Sequence, residues 1–453
     1  MDVTKTSDNL RALLAEDKDA EIRDICNSFH PAALADHFEH LEPEERVQVL
    51  QCLDPLFRAE LIGHLDPNTQ LDTVEVMPDA ELARTVTNMS ADERVDLLKL
   101  LPDERVEEVL RTVAKAERED ILRLGAYKEG TAGAIMTSEY VSIPPDITAR
   151  EALDKLRLEA PNKETIYCAY VVDNKRRLLG LISLKDLIVA RGHSLIEDLM
   201  TKEAITVLAD EPQEEVARKL SQYDLIAIPV VNGNNTLVGI VTFDDVLDVT
   251  EAEATTDFHR IGASGSLKES LRDASLGLLY RKRVPWLLIL VFINIFSGAA
   301  IARYEEVIEA YVALVFFLPL LIDSGGNAGT QSATLMVRAL ATGDVQLRDW
   351  FKLLSREVGV AAAIGLSMAV AVSFLGIYRG GAEIAVVVSS TMIIVVLVGS
   401  LIGMSLPFAF TRLKLDPAAA SGPLVTSLAD IAGVLIYFGI AAWYLDLPLV
   451  AAA

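Results

Sequence analysis

Five apolar stretches, 285–302, 308–340, 358–377, 384–410 and 423–445, crowd the C-terminal part of this 453-residue chain. About 20 apolar residues suffice to cross a bilayer. Inside hydrocarbon every backbone polar group must find a partner within the protein, so such stretches fold as helices. This constraint predicts an all-α polytopic membrane domain over residues 281–453 with five transmembrane helices. Charge separates it from what precedes. Residues 281–453 hold 11 acidic and 11 basic groups, while 54 acids and 30 bases in residues 1–280 carry the whole net charge of −24. An acidic soluble portion is the wrong partner for nucleic acid, whose phosphates require Lys and Arg, and a suitable one for cations.

Basic residues orient the spans. Arg281, Lys282 and Arg283 precede the first; Arg348, Lys352 and Arg356 separate the second from the third; Arg412 and Lys414 separate the fourth from the fifth. The opposite loops hold only Arg303 and Arg379. By the positive-inside rule the N-terminus is expected in the cytoplasm and the C-terminus outside. The chain opens with the polar MDVTKTSDNLRALL rather than an apolar leader, so the soluble portion is expected to stay where it is made. Cys26, Cys52 and Cys168 form no CxxC pair and read as reduced thiols.

The soluble portion has internal repeats. Leu41, Leu53, Leu65, Met77, Met89 and Leu101 recur every twelve residues, most followed within two positions by proline, then by helix formers or acidic pairs. Proline suits the first helical turn and carboxylates the positive helix N-terminus. The pattern predicts a superhelical stack of short helices over residues 1–130. From 131 to 248 strands and helices alternate twice in one order. Strands 140–143, 169–172 and 178–183 with helices 149–157 and 184–189 are followed by strands 204–207, 226–231 and 237–242 with helices 214–221 and 244–249. The segments IMTSEYVSI…YVVDNKRRLLGLISLKDL and LMTKEAITV…IPVVNGNNTLVGIVTFDDV resemble two cystathionine-β-synthase (CBS) modules, an α/β tandem spanning 131–195 and 196–248. A helical connector over 249–280 leads to the membrane domain.

Two features of the spans carry chemistry. The second contains PLLIDSGGNAGTQSATL, placing Gly325, Gly326, Asn327 and Gly329 in apolar surroundings. Broken helix is tolerated in a membrane only inside protein or along a water-filled cavity, so the motif predicts an interrupted helix whose freed carbonyls face a cation. The fifth holds Asp430, and an intramembrane acid is a functional candidate by default; Asp323 is a weaker second. No His or Cys follows residue 259, which leaves oxygen ligands and favours Mg²⁺, Ca²⁺ or Mn²⁺. One acid per chain suits an ion that keeps its waters, as Mg²⁺ does.

The whole organisation resembles the MgtE family of magnesium channels and transporters, most specifically through PLLIDSGGNAGTQSATL and LDPAAASGPLVTSLADIAGVLIYF. The resemblance implies a homodimer in the cell inner membrane, Mg²⁺ as both substrate and regulator, and an ion path between subunits. It implies that Asp430 is the pore carboxylate holding hydrated Mg²⁺, with Asn327, Gly325 and Gly326 along the path. It further implies that cytosolic Mg²⁺ closes the pore by bridging acidic faces of the soluble domains. The matching sensor positions are Asp92 and Asp96 in the repeat, Asp224 and Asp245 in the second CBS module, and Asp248, Glu253 and Asp257 on the connector, or plug, helix. The chain departs from the family at Gly422, where many relatives carry Asn, and at Thr256, where they often carry an acid. CBS modules often hold ATP or another adenine nucleotide through the Asp of an S/T-x-x-D motif; Ser183…Asp186 and Thr242…Asp245 fit.

Alternative readings are a transporter for another hard divalent cation, such as Mn²⁺ or Co²⁺, and a membrane-anchored CBS sensor of Mg²⁺ or nucleotide. An enzyme is not expected. The spans contain no HExxH, GxSxG or histidine, and no GxxxxGK[ST] loop for ATP hydrolysis occurs.

Overall fold

A computed structural model describes residues 3–446 apart from 263, 266, 268–270 and 272–273. Two compact units, Met1–Glu251 and Ala252–Ala453, divide the chain; the multidomain class read from the sequence holds, although part of the 249–280 connector lies outside the described residues. The first unit opens with helices α1 (Val3–Ala15), α2 (Asp19–Asn27), α3 (Pro31–Phe38), α4 (Pro43–Gln51), α5 (Pro55–Gly63), α6 (Pro67–Val76), α7 (Asp79–Asn88), α8 (Ala91–Lys99), α9 (Asp103–Thr112) and α10 (Lys115–Gly125). From α3 to α10 each helix packs on the next but one, which winds the stack. The twelve-residue repeat supplies the core: Leu41, Leu53, Leu65, Met77, Met89 and Leu101 are all buried. Starts follow from proline at the first turn of α3 to α6 and from Asp54 and Asp66, whose side chains accept N–H groups of α5 and α6. Buried arginines satisfy the ends, as Arg46 Nε donates to the Phe38 carbonyl at 2.8 Å.

The two CBS modules follow. In the first, β1 (Tyr140–Ile143) pairs parallel with β2 (Thr165–Val172) and β2 antiparallel with β3 (Leu178–Ser183), with helices α11 (Ala149–Glu159), α12 (Leu184–Val189) and α13 (Ile196–Leu199). In the second, β4 (Val207–Leu208), β5 (Ala227–Val231) and β6 (Leu237–Thr242) pair in the same order, with helix α14 (Gln213–Gln222). A pseudo-two-fold relates them: Leu178 N donates to Asn235 O and Leu237 N to Arg176 O, both at 2.9 Å. Helix α15 (Phe243–Ile261) begins in the second module and continues into the connector without interruption.

The membrane unit comprises α16 (Leu276–Ala302), α17 (Glu305–Ala310), α18 (Ala313–Ala341), α19 (Trp350–Arg412) and α20 (Gly422–Tyr444). Four of these are long and apolar enough to cross a membrane. The 63 residues of α19 would extend about 95 Å as one rod, roughly three bilayer cores. It is broken at Gly381, where φ is 79° and ψ −177°, a conformation open to glycine alone. Its halves return antiparallel: Ser389 Oγ donates to the Ala369 carbonyl at 3.3 Å, and Gly376 abuts Ala385. Five spans result.

The expectation of a broken second span is overturned. Helix α18 runs unbroken through SGGNAG, and the interruption within 308–340 falls at Tyr311 and Val312, between α17 and α18. The glycines serve close packing instead. Gly325 and Gly329 of α18 face Gly399 and Gly403 of α19 so closely that a Cβ on Gly403 would collide with the Gly329 carbonyl. Two G-x-x-x-G faces thus interlock, the standard means of bringing membrane helices together. The helix stays regular through SGGNAG, so the motif itself frees no carbonyl; the proline within α18, Pro319, lies before it.

Candidate functional site

A polar stripe marks α18. Asp323, Asn327, Gln331, Thr334 and Arg338 lie at helical spacing on one exposed face, while Gly325, Gly326, Ala328, Gly329 and Ser332 are buried on the other. Gly325 packs on Val395 and Gly326 on Thr426 of α20, so the two glycines form the seam between helices while Asn327 faces outward. Apolar surroundings make such a stripe expensive unless it meets water or another polar surface. Asp430 lies on α20, half-buried, two turns beyond Gly422, and is within electrostatic range of Asp323. The structure therefore places carboxylates of α18 and α20 within electrostatic range of one another and sets Asn327 one turn from Asp323. Glu305, Glu306 and Glu309 stand exposed on α17.

The soluble unit holds a second acidic group. Helix α8 supplies Asp92 and Glu93 at its first turn, the segment before β1 supplies Glu139, the start of β2 is preceded by Glu164, and α15 supplies Asp244 and Asp245. Burial pushes Asp245 up to about 8, and the Asp92 charge adds to it. Burial likewise pushes Glu93 and Glu164 up to about 7, with Asp92 again the leading charge. Asp92 itself is raised by burial, and its Oδ1 is sealed from solvent with no hydrogen-bond partner. The Glu93 carboxyl lies directly against Gly63 at the end of α5. Among the described residues Glu139 alone of this group has an ion-pair partner, Arg94 Nη2 at 2.8 Å. The other carboxylates repel one another, and no ion pair with them is found among the described residues. An oxygen-seeking divalent cation fits that deficit. No three His, Cys, Asp or Glu groups among the described residues converge tightly enough to hold a metal ion by themselves.

Of the sensor positions expected from the sequence, Asp92 and Asp245 are brought together here. Asp96 is exposed and bonded to Lys99 at 2.8 Å. Asp224 is exposed, at a left-handed residue after α14. Asp248 is largely exposed; partial loss of solvent around its carboxyl, then the Asp244 charge, raise it, with His64 opposing. Glu253 and Asp257 lie further along α15, and burial followed by the Asp416 charge raises Asp257. Glu93, Glu139, Glu164 and Asp244 were not anticipated. They come from four separate segments, and no local motif announces them.

The S/T-x-x-D motifs cap helices. Ser183 Oγ accepts from Asp186 N at 3.0 Å and donates to its Oδ2 at 2.6 Å, opening α12. Thr242 Oγ1 donates to Asp245 Oδ2 at 2.5 Å, opening α15. Asp245 is thus already shared between a cap and the acidic group.

Residues 318–440 match the family described as MgtE, divalent cation transporter; residues 29–130 match the MgtE intracellular N domain, and 132–193 and 196–251 match CBS domains. The chain is 43% identical over 323 residues to the magnesium transporter MgtE of Thermus thermophilus, covering 71% of this chain and 72% of that one. It is 39% identical to the magnesium transporter MgtE of Bacillus subtilis, over 70% of each. Among solved structures, the soluble part of a magnesium transporter aligns with a TM-score of 0.52 at 33% identity, covering 56% of this chain and all of that one. The cytosolic domain of the Mg²⁺ channel MgtE in complex with ATP aligns at 0.52 and 36% identity, covering 54% and 99%.

Proposed function

This chain belongs to the MgtE family of magnesium transporters, and on that premise we propose that it is a homodimeric Mg²⁺ channel closed by cytosolic Mg²⁺. It is a transporter and not an enzyme. The observation that carries the reading is the polar stripe of α18 beside Asp430 of α20, exposed in an otherwise apolar membrane domain. A second copy closing over that face turns it into the wall of a water-filled path. Asp430 holds the hydrated ion there by charge and through its waters, with Asn327 as a neutral neighbour. Gly325 and Gly326 set the spacing of the path by letting α18 approach its neighbours. The soluble domains and N-terminus are cytoplasmic in the cell inner membrane, the C-terminus outside, and Mg²⁺ enters down its electrochemical gradient.

In the same reading the unpaired acids are the sensor. Asp92 and Asp245, with Glu93 and Glu164 beside them, repel when metal is scarce and are bridged when it is plentiful. Asp96, Asp224, Asp248, Glu253 and Asp257 add further weak ligands. A ligand shifts such an equilibrium only by its differential affinity for the two states. Flux into proteoliposomes, with Mg²⁺ varied on the cytoplasmic face, tests the reading. Wild type is expected to close in the millimolar range. Asp92→Asn is expected to raise the closing concentration roughly tenfold, the loss of one charge-assisted contact. Metal must displace protons held by carboxyls raised to about 7 and 8, so less Mg²⁺ should suffice at pH 8.5 than at pH 6.5. Flux indifferent to cytoplasmic Mg²⁺, or carrying Mn²⁺ or Co²⁺ in preference, overturns it.

We further propose that the CBS pair takes ATP or another adenine nucleotide, with the ribose on Asp186 beside Ser183. Asp245 of the Thr242 motif is committed to its cap and to the acids. Titration calorimetry with ATP should show binding weakened by Asp186→Ala; no heat with wild type removes the proposal.

A further inference from the structure

The end of α15 and the short loop before α20 share one carboxylate. Asp416 Oδ1 accepts the Ala418 N–H at 2.7 Å, capping the turn Pro417–Ala419 that leads into α20. Its other oxygen, Oδ2, is paired with Arg260 Nη1 near the C-terminus of α15. The turn beyond is anchored, since Ala418, Ala420 and Ser421 are buried, and it packs on both α18 and α19. A displacement of Arg260 therefore pulls on a capped turn that leads, through Ala420 and Ser421, into the helix bearing Asp430. Asp257, one turn before Arg260, lies in reach of the Asp416 and Arg338 charges, so the same contact holds Asp257 at the cytoplasmic end of the α18 stripe.

We propose that Arg260 and Asp416 are positioning residues that couple the connector helix to the start of α20, a fixed internal cation doing at this point what a bound metal does elsewhere. This rests on the gating reading above. Neither side chain touches the transported ion; they act through the placement of Asp257 and of α20. Both are partly exposed, 40% and 34%, so the pair is of the salt-sensitive kind that biases a balance rather than locks it.

The test is charge reversal in the full chain. Arg260→Glu and Asp416→Arg alone should each raise the cytoplasmic Mg²⁺ needed for closure by about two- to five-fold, the reach of a half-exposed pair. The double exchange should restore it towards wild type, Arg260→Lys should keep most of it, and the shifts should shrink at high ionic strength. Chymotryptic cleavage after the exposed Phe258 provides a readout independent of gating: faster in each single variant and slowed again in the double. Singles without effect on closure and cleavage, or a double no better than its parts, overturn the coupling. Wild type that ignores cytoplasmic Mg²⁺ would instead overturn the gating reading, and the cleavage pattern would still decide whether the pair positions the connector.

Discussion

Asp430→Ala is expected to lower Mg²⁺ flux by on the order of 100-fold while the protein remains folded in the membrane. A unit charge near a unit charge at about 4 Å is worth roughly 4 kcal/mol at an effective dielectric of 20. The doubly charged ion gains and the retained hydration shell takes some back, so a loss of a few kcal/mol in the occupied path is the right size. Asp430→Asn should be nearly as damaging, because it keeps the shape and removes the charge. Asp323→Ala should cost less, since Asp323 is exposed on its helix face and acts on Asp430 only at a distance. Isotope or dye-reported flux in proteoliposomes, with dimer content and melting temperature measured alongside, decides it. Equal flux in wild type and Asp430→Ala would remove α20 from the ion path.

Gly403→Leu should abolish the folded membrane domain. The added side chain meets the Gly329 carbonyl, a backbone atom that cannot swing away. Overpacking of a core commonly costs 1–3 kcal/mol when side chains can adjust; a backbone clash at a helix crossing leaves only separation of α18 from α19. That separation would also undo the contacts of Gly325 and Gly329 with Val395 and Gly399. Gly359→Leu is the matched control, for nothing lies within 4 Å of a Cβ built there. Yield of monodisperse protein and thermal melting in detergent should separate the two variants. A Gly403→Leu protein melting within about 2 °C of wild type, less than 1 kcal/mol for a domain of this size, would mean that the interlocked glycines are not tight in solution.

Much of the architecture was legible because it rests on periodicity. The twelve-residue recurrence of Leu41 to Leu101 marks buried positions, and all of them are buried. The doubled order of strands and helices places β1 to β3 and β4 to β6 in matching sheets. Glycine was the weak point. In SGGNAG the same residues suit a broken helix or a close helix crossing, and which applies depends on whether a partner helix presents its own small residues at the right height. Gly399 and Gly403 do so, from about 70 positions further along the chain. Gly381, by contrast, lies in the gap between the apolar stretches 358–377 and 384–410, and it is there that α19 turns back on itself.

What the sequence by itself determined is set by composition and local pattern: an acidic soluble portion, an apolar membrane portion with Asp430 in its last span, and the repeat that builds each layer. These need only the solvent preference of side chains and the pitch of a helix. What only the tertiary structure decided is which distant groups meet. Asp92, Glu93, Glu139, Glu164 and Asp245 become one acidic group, and Arg260 finds Asp416 across 156 residues. Charge acts through space over a few ångströms, and sequence separation carries no information about that distance until the backbone has been packed.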